Sequence, residues 1–283
     1  MGHSAERSEK KWFLSGLFGK PESLPVLLFI VLFAILYAVG PDLRSAKYIF
    51  EPPWLLFALN SVFITGLCFF IAWLSFRSYL RGGFPNVLLL GCGVLAFGYT
   101  SFTAGWLIRS PYGPNHTVTV HNVGVLFASA CFFLSSLSVS LGMGRETEPV
   151  HRAPAAGAAY LGIFLVGALF TAAAILDLTP PFFIPGEGPT VIRQVVLTVS
   201  VTLLLTSALL MMAVYAERKT GFLLYSINAL LLIAAGIVGV ALGAPGSPLS
   251  WLGRASQYLG DVYLAVAAMK ALGEARSKGT TVE

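Results

Sequence analysis

The chain has 283 residues, 56% of them hydrophobic and 11% charged, with a formal net charge of +5. That balance excludes an ordinary soluble domain. Its apolar residues run in continuous blocks of bilayer-spanning length, which excludes a β-barrel of short alternating strands. The basic residues sit at the ends of those blocks, so the charge gives no reason to expect nucleic acid as a partner. The fold class expected is all-α, a polytopic transmembrane helical bundle.

Residues 1–23 form a hydrophilic leader carrying Arg7, Lys10, Lys11 and Lys20, in which Trp12, Phe13, Leu14, Leu17 and Phe18 are spaced for a short surface helix or an interfacial tail. No small-residue cleavage site comes after the first apolar run, so that run reads as an uncleaved span. Eight spans are expected: Leu24–Gly40, Trp54–Phe76, Val87–Ile108, His121–Met143, Ala156–Leu176, Val191–Ala216, Phe222–Gly243 and Trp251–Leu272. Together, residues 24–272 make one membrane domain, and residues 273–283 a hydrophilic tail. The last span is the least apolar, so seven spans with a peripheral eighth helix is the alternative.

Lys and Arg placement orients the chain. With the N-terminus cytoplasmic, that side receives Arg7, Lys10, Lys11, Lys20, Arg77, Arg81, Arg145, Arg152, Arg218, Lys219, Lys270, Arg276 and Lys278. The other side receives Arg44, Lys47, Arg109, Arg193 and Arg254. Both termini are therefore expected inside, in a cytoplasmic membrane. The outer loops, such as DLTPPFFIPGEGPT, are rich in Pro, Gly and aromatics and favour defined turns.

Small residues recur at packing intervals: Gly91, Gly98 and Gly105 in the third span, Gly239 and Gly243 in the seventh. They let helix backbones approach closely, within the chain or at the seam of a homodimer. Ser135, Ser136, Ser138 and Ser140 are expected to bond back to their own helix. Cys68, Cys92 and Cys131 all lie inside apolar segments, as small buried hydrophobes and not as a disulfide set. Cys68 and Cys92, at similar depth on consecutive spans, are placed to meet.

The last span holds the densest polar pattern. Arg254, Gln257 and Asp261 are offset by three and four residues and share one helical face. Ionisable groups at membrane depth are costly, and they face a protein interior or a wet cavity. Asn60, Thr100, Ser101, His121, Asn122, Arg193 and Gln194 fall within roughly 15 Å of the same outer surface by helical rise. A ligand site is expected from Arg193, Gln194, Arg254, Gln257 and Asp261, with Asn60, His121 and Asn122 around them. Two arginines suit an anionic or amphiphilic small molecule. The opposing reading is that Arg254 and Asp261 pair internally and lock helices together.

His116 and His121 flank an outer loop with no third ligand in view, so no metal site is expected, and the Asn115-His116-Thr117 triplet is read as incidental. No Walker loop, HExxH, GxSxG or kinase motif set occurs, and no nucleophile–base pair is visible. No cofactor is evident, and the expectation is a non-enzyme.

Four stretches carry a family likeness: NVLLLGCGVLAFG (Asn86–Gly98) with TVTVHNVGVLFASACFFLSS (Thr117–Ser136), TPPFFIPGEGPTVIRQ (Thr179–Gln194), and GSPLSWLGRASQYLGDVYLAVAA (Gly246–Ala268). LLFALNSVFIT (Leu55–Thr65) fits the same pattern. The chain resembles the multi-span N-terminal membrane region of PAS-containing bacterial and archaeal sensor histidine kinases. That resemblance implies a signal-input module, with the last helix continuing into cytoplasmic PAS and kinase domains as partners. The eleven residues after Leu272 hold no PAS, phospho-acceptor or ATPase segment, so these 283 residues are expected not to be a kinase themselves. The function expected is a membrane receptor module that binds a small ligand in its outer half and relays it through the last helix. A small-solute or proton-coupled transporter working through Asp261 and a structural membrane anchor or dimerisation module are the alternatives.

Overall fold

A computed structural model describes residues 19–39, 52, 54–108, 113–142 and 146–279. The surface helix expected in the leader, and Arg44, Lys47, Arg109, Tyr112 and Arg145, lie outside the described residues. Among the described residues, eight long helices succeed one another: α1 (Leu24–Ala38), α2 (Leu55–Gly82), α3 (Pro85–Leu107), α4 (Gly113–Ser140), α5 (Pro149–Ile175), α6 (Val191–Arg218), α7 (Gly221–Leu242) and α8 (Pro248–Gly279). Seven of them, all but α8, are long and apolar enough to cross a membrane. The protein is a multi-pass all-α bundle.

Helix ends obey local chemistry. Pro85 and Pro149 sit in opening turns, where the missing N–H costs nothing. The Thr190 and Thr220 hydroxyls accept from the backbone N–H groups of Arg193 and Leu223, capping α6 and α7. At the close of α2, Gly83 takes a left-handed φ of 68°, and Arg152 of α5 donates to the carbonyls of Leu80 and Arg81, 3.3 and 2.6 Å away. A guanidinium thus satisfies carbonyls that the helix end leaves open.

Six helices close a ring. α2 packs on α3, α3 on α4, α4 on α6, α6 on α7, α7 on α8, and α8 returns to α2. α5 lies outside against α2, α3 and α4, and α1 outside against α7 and α8. α5 exposes Leu161, Leu165 and Leu169 as a surface for lipid. α1 is pinned at one end: Asn228 of α7 donates to the Ser23 hydroxyl at 3.1 Å, the Tyr263 hydroxyl of α8 donates to the Glu22 carbonyl, and Lys20 stands 5.5 Å from the Tyr215 ring centroid of α6.

Seven helices of spanning length and hydropathy agree with the alternative count, but the eighth helix is packed into the bundle and is not peripheral to it. α8 runs 32 residues, or about 48 Å, and buries Ser256, Gln257, Asp261, Leu264, Ala267 and Ala268. Its polar residues lower its hydropathy because they face inward, not because it lies on the surface.

The glycine stripes are spent inside the chain. Gly91, Gly98 and Gly105 of α3 lie against Ser75, Cys68 and Phe57 of α2, and the Tyr160 hydroxyl of α5 slots over Gly91 to donate to the Ala72 carbonyl at 2.7 Å. On α7, Gly236 and Gly239 meet Gly253 of α8, and Gly260 of α8 meets Ala229 and Ile233. These contacts draw α7 and α8 to backbone distance. They also take away the stripes' support for a homodimer seam. Ser136 bonds back to Phe132 as expected, while Ser135 crosses to the Asn86 carbonyl at 2.7 Å.

A Cβ at Gly253 would stand 2.7 Å from the Gly236 carbonyl oxygen and 2.8 Å from the Val240 nitrogen. Gly253→Leu is therefore expected to cost about 3 kcal/mol or more by forcing two backbones apart. Gly157→Ala, on lipid-facing α5 with nothing within 4 Å of the added Cβ, is expected to leave stability unchanged or raise it by up to about 1 kcal/mol through helix propensity. Thermal unfolding of the two variants in detergent separates these outcomes.

Candidate functional site

The expected site residues occupy one end of the ring, the end away from Arg152, Arg218 and Lys219. The sequence reading has His121 opening its helix. In the structure α4 begins at Gly113, so His121 lies about two turns down. The intervening stretch from Asn115 to Val120 holds no helix breaker, and Pro114 before it suits a first turn.

Three of the residues gather across the ring. Arg193 of α6 and Arg254 of α8 lie near enough to His121 of α4 for both guanidinium groups to act electrostatically on its ring. His121 also stands edge-on to Phe97 of α3, with centroids 6.1 Å apart. Arg254 itself reaches over the Trp251 ring at 5.5 Å. Asn122 is buried, its Nδ2 without a hydrogen-bond partner.

Further down α8 the polar face turns onto neighbouring helices. Gln257 is buried with its side-chain stem against Gly236 of α7. The Tyr258 hydroxyl donates to Asn60 Oδ1 of α2 at 2.8 Å, and the Tyr258 ring stacks on Phe63 at 5.6 Å. Asn60 opens a π-helical stretch, Asn60–Gly66. Such stretches interrupt regular helices, frequently at functional sites. Tyr258 is absent from the residues expected on sequence, although helical spacing places it on the face of Arg254 and Asp261.

Asp261 is fully buried, and neither carboxylate oxygen has a hydrogen-bond partner. Cys68 of α2 lies within electrostatic reach of it. The opposing reading, in which Asp261 pairs with Arg254, is not met, since no salt bridge joins the two among the described residues. The reason is depth: Asp261 stands seven residues, about 10 Å, below Arg254 along α8. The pairing of Cys68 with Cys92 is also corrected. Cys68 faces Gly98, and Cys92 lies in reach of Cys131.

Gln194 departs from the group. It is exposed, and with Arg193 it heads a 510 Å³ groove between α6 and α7. Asn60, His121, Asn122, Arg254, Gln257 and Asp261 do not line that groove. The eight residues therefore divide into a cross-ring cluster, a buried column on α8 and a side groove, instead of one shared hollow. A second cavity of 690 Å³ opens at the basic end on the ring axis, with Ser78, Asn86, Ser138, Arg218, Leu223 and Ala271 from the six ring helices around it.

Over the outer end lies a pinned cap. Phe183–Ile184 pairs antiparallel with Gly188–Pro189, and Asn115 Oδ1 accepts from the backbone N–H groups of Phe182 and Phe183 at 2.9 and 3.0 Å. His116 meets Asp177 at 3.0 Å. Asn115 and His116, incidental or interfacial on the sequence reading, hold this loop to α4. The signal for that role is three-dimensional and leaves no trace in local spacing.

Comparison with known proteins finds no matching family model, no matching curated protein and no matching solved structure. The likeness to sensor-kinase input regions rests on the quoted segments alone.

A buried carboxylate without partners costs stability, which a protein keeps only for another reason. Asp261→Asn is isosteric and cannot ionise. It is expected to leave the thermal midpoint unchanged or to raise stability by about 1 kcal/mol. A clear fall would mean that the carboxylate holds the bundle together.

Proposed function

We propose that this protein is a non-enzymatic membrane signal-input module, in which a small ligand bound in the outer half of the ring displaces α8 and so changes the position of its far end at the basic side. The observation that carries this reading is α8 itself. One continuous helix joins the Arg193–His121–Arg254 cluster to the basic end, passing Tyr258 and Asp261 on the way. A ligand shifts such an element only by binding two arrangements of it with different affinity. The glycine contacts hold α8 at backbone distance from α7, with Gln257 over Gly236 and Ile233 over Gly260, so a shift of α8 moves between discrete packings. The family likeness supports placement in a cytoplasmic membrane, a homodimer, and PAS and kinase domains downstream of α8.

A second reading is favoured by one arrangement. Asp261 inside a ring that opens on its axis into a 690 Å³ cavity suits a proton-coupled transporter. Between them stand Leu264, Ala267 and Ala268, all buried, an apolar stretch that a conducting pathway would have to open. This stretch favours the receptor.

Both readings are separable with one pair of variants. Lys270 of α8 and Arg77 of α2 are exposed at the basic end. With spin labels at these positions, Asp261→Asn is expected to move the inter-label distance by about 2 Å or more, the scale of helix shifts in switching proteins. Identical distributions would reduce α8 to a tether. Proton uptake into proteoliposomes above protein-free vesicles, abolished by Asp261→Asn, would establish the transporter instead.

A further inference from the structure

We infer that the groove between α6 and α7 binds a single-chain anionic amphiphile, with a carboxylate at Arg193 and an acyl chain laid along the trough below. This names a ligand class for the receptor reading and rests on it for the consequence of binding, though not for the binding itself.

The groove is charged at one end only. Arg193 and Gln194 form its head, one turn inside the start of α6, and Pro189 of the pinned hairpin forms its rim. Arg193 Nε is shielded from solvent and has no hydrogen-bond partner. A guanidinium in a low-dielectric setting is satisfied best by a bidentate anion such as a carboxylate. Below this head the walls are Leu197 and Val201 on α6 and Ile237 and Val238 on α7. Thr198 and Thr202 also line the trough, the Thr202 hydroxyl being spent on the Thr198 carbonyl at 2.8 Å.

Dimensions select among amphiphiles. From Arg193 to Thr202 the trough runs about 13 Å by helical rise, and its 510 Å³ falls in the range of about 300–1,000 Å³ that holds one small ligand. One medium-length chain fits this shape, whereas a two-chain phospholipid needs a second trough. The groove opens sideways, where Thr198, Val238 and Leu242 are exposed, so a chain enters from the lipid without crossing the cap. The head lies at the outer end, at the depth where a carboxylate stays near water. Arg193 also acts on His121 across α4, so neutralising its charge changes the field at the cross-ring cluster that includes Arg254 of α8.

The test uses the purified protein in nanodiscs of zwitterionic phosphatidylcholine, with dodecanoate and dodecanol as probes sharing one chain. Dodecanoate is expected to bind saturably and roughly tenfold or more tightly than dodecanol, as a charged hydrogen bond would give. Arg193→Gln should erase that preference, and Val201→Trp should weaken both probes by filling the trough. Equal binding of the two probes to wild type, or dodecanoate binding unchanged by both substitutions, overturns the site. The 77–270 label pair then separates the two ideas. Dodecanoate binding with no change in that distance keeps the site and counts against the receptor reading. Absence of dodecanoate binding removes the site and leaves the receptor reading to the Asp261→Asn comparison.

Discussion

The close approach of α7 and α8 through glycine is the contact on which the rest of the structure depends. In lipid, apolar surface gains little by meeting other apolar surface, so helices associate through dispersion and hydrogen bonds at short range. Gly236, Gly239, Gly253 and Gly260 supply that range. Without it, α8 would be a moderately polar helix with no reason to remain in the interior. With it, α8 takes a place in the ring, and its polar face has nowhere to go but inward. The α2 side completes the enclosure through the Tyr258–Asn60 hydrogen bond and the Cys68 surface.

Enclosure settles what kind of polar residues α8 carries. Gln257 is laid along Gly236, where a larger neighbour would exclude it, and Ser256 donates to the Leu232 carbonyl at 2.7 Å. Those two serve the helix pair. Asp261 does not, since no group answers its oxygens. Asp261 thus adds a desolvation cost to an interface that Gln257 and Ser256, one turn away, strengthen.

The bundle itself is legible in the sequence because span length and hydropathy are one-dimensional properties. α6 and α7 start within a residue of their expected limits, Val191 and Phe222, for the same reason. The expected start of α4 falls eight residues short because Asn115, His116 and the threonines after them look like loop residues. Asn115 and His116 are in fact the underside of the cap, turned onto Phe182 and Asp177, while Thr117 and Thr119 bond within α4. The ring is not legible at all. Spacing shows that Gly91, Gly98 and Gly105 share a face but not that the face meets α2, and nothing local separates α5, outside the ring, from α6 within it. For the candidate site, the inward α8 face is legible, whereas the expected convergence of all eight residues does not occur. Depth alone places them together, and depth says nothing about which side of a helix its neighbour occupies.

The ring's contacts are uneven in a way that bears on movement. α2 and α3 are keyed together, by Tyr160 over Gly91, by Phe57 at Gly105, and by Arg152 fastening α5 to the end of α2. Sliding either helix would drive an aromatic ring into backbone. α7 and α8 are keyed as well, by Gln257 over Gly236 and Ile233 over Gly260, whereas α6 is separated from α7 by the open groove at the end away from the basic residues. Packed interfaces change by discrete steps and not by continuous deformation, so displacement concentrates where fewest side chains interlock. That places the least interlocked seam between α6 and α7, at the end where Arg193 stands. α8 is held on both of its sides, by the Asn60–Tyr258 hydrogen bond to α2 and by the Ser256–Leu232 hydrogen bond to α7, so any motion of α8 must break a specific contact.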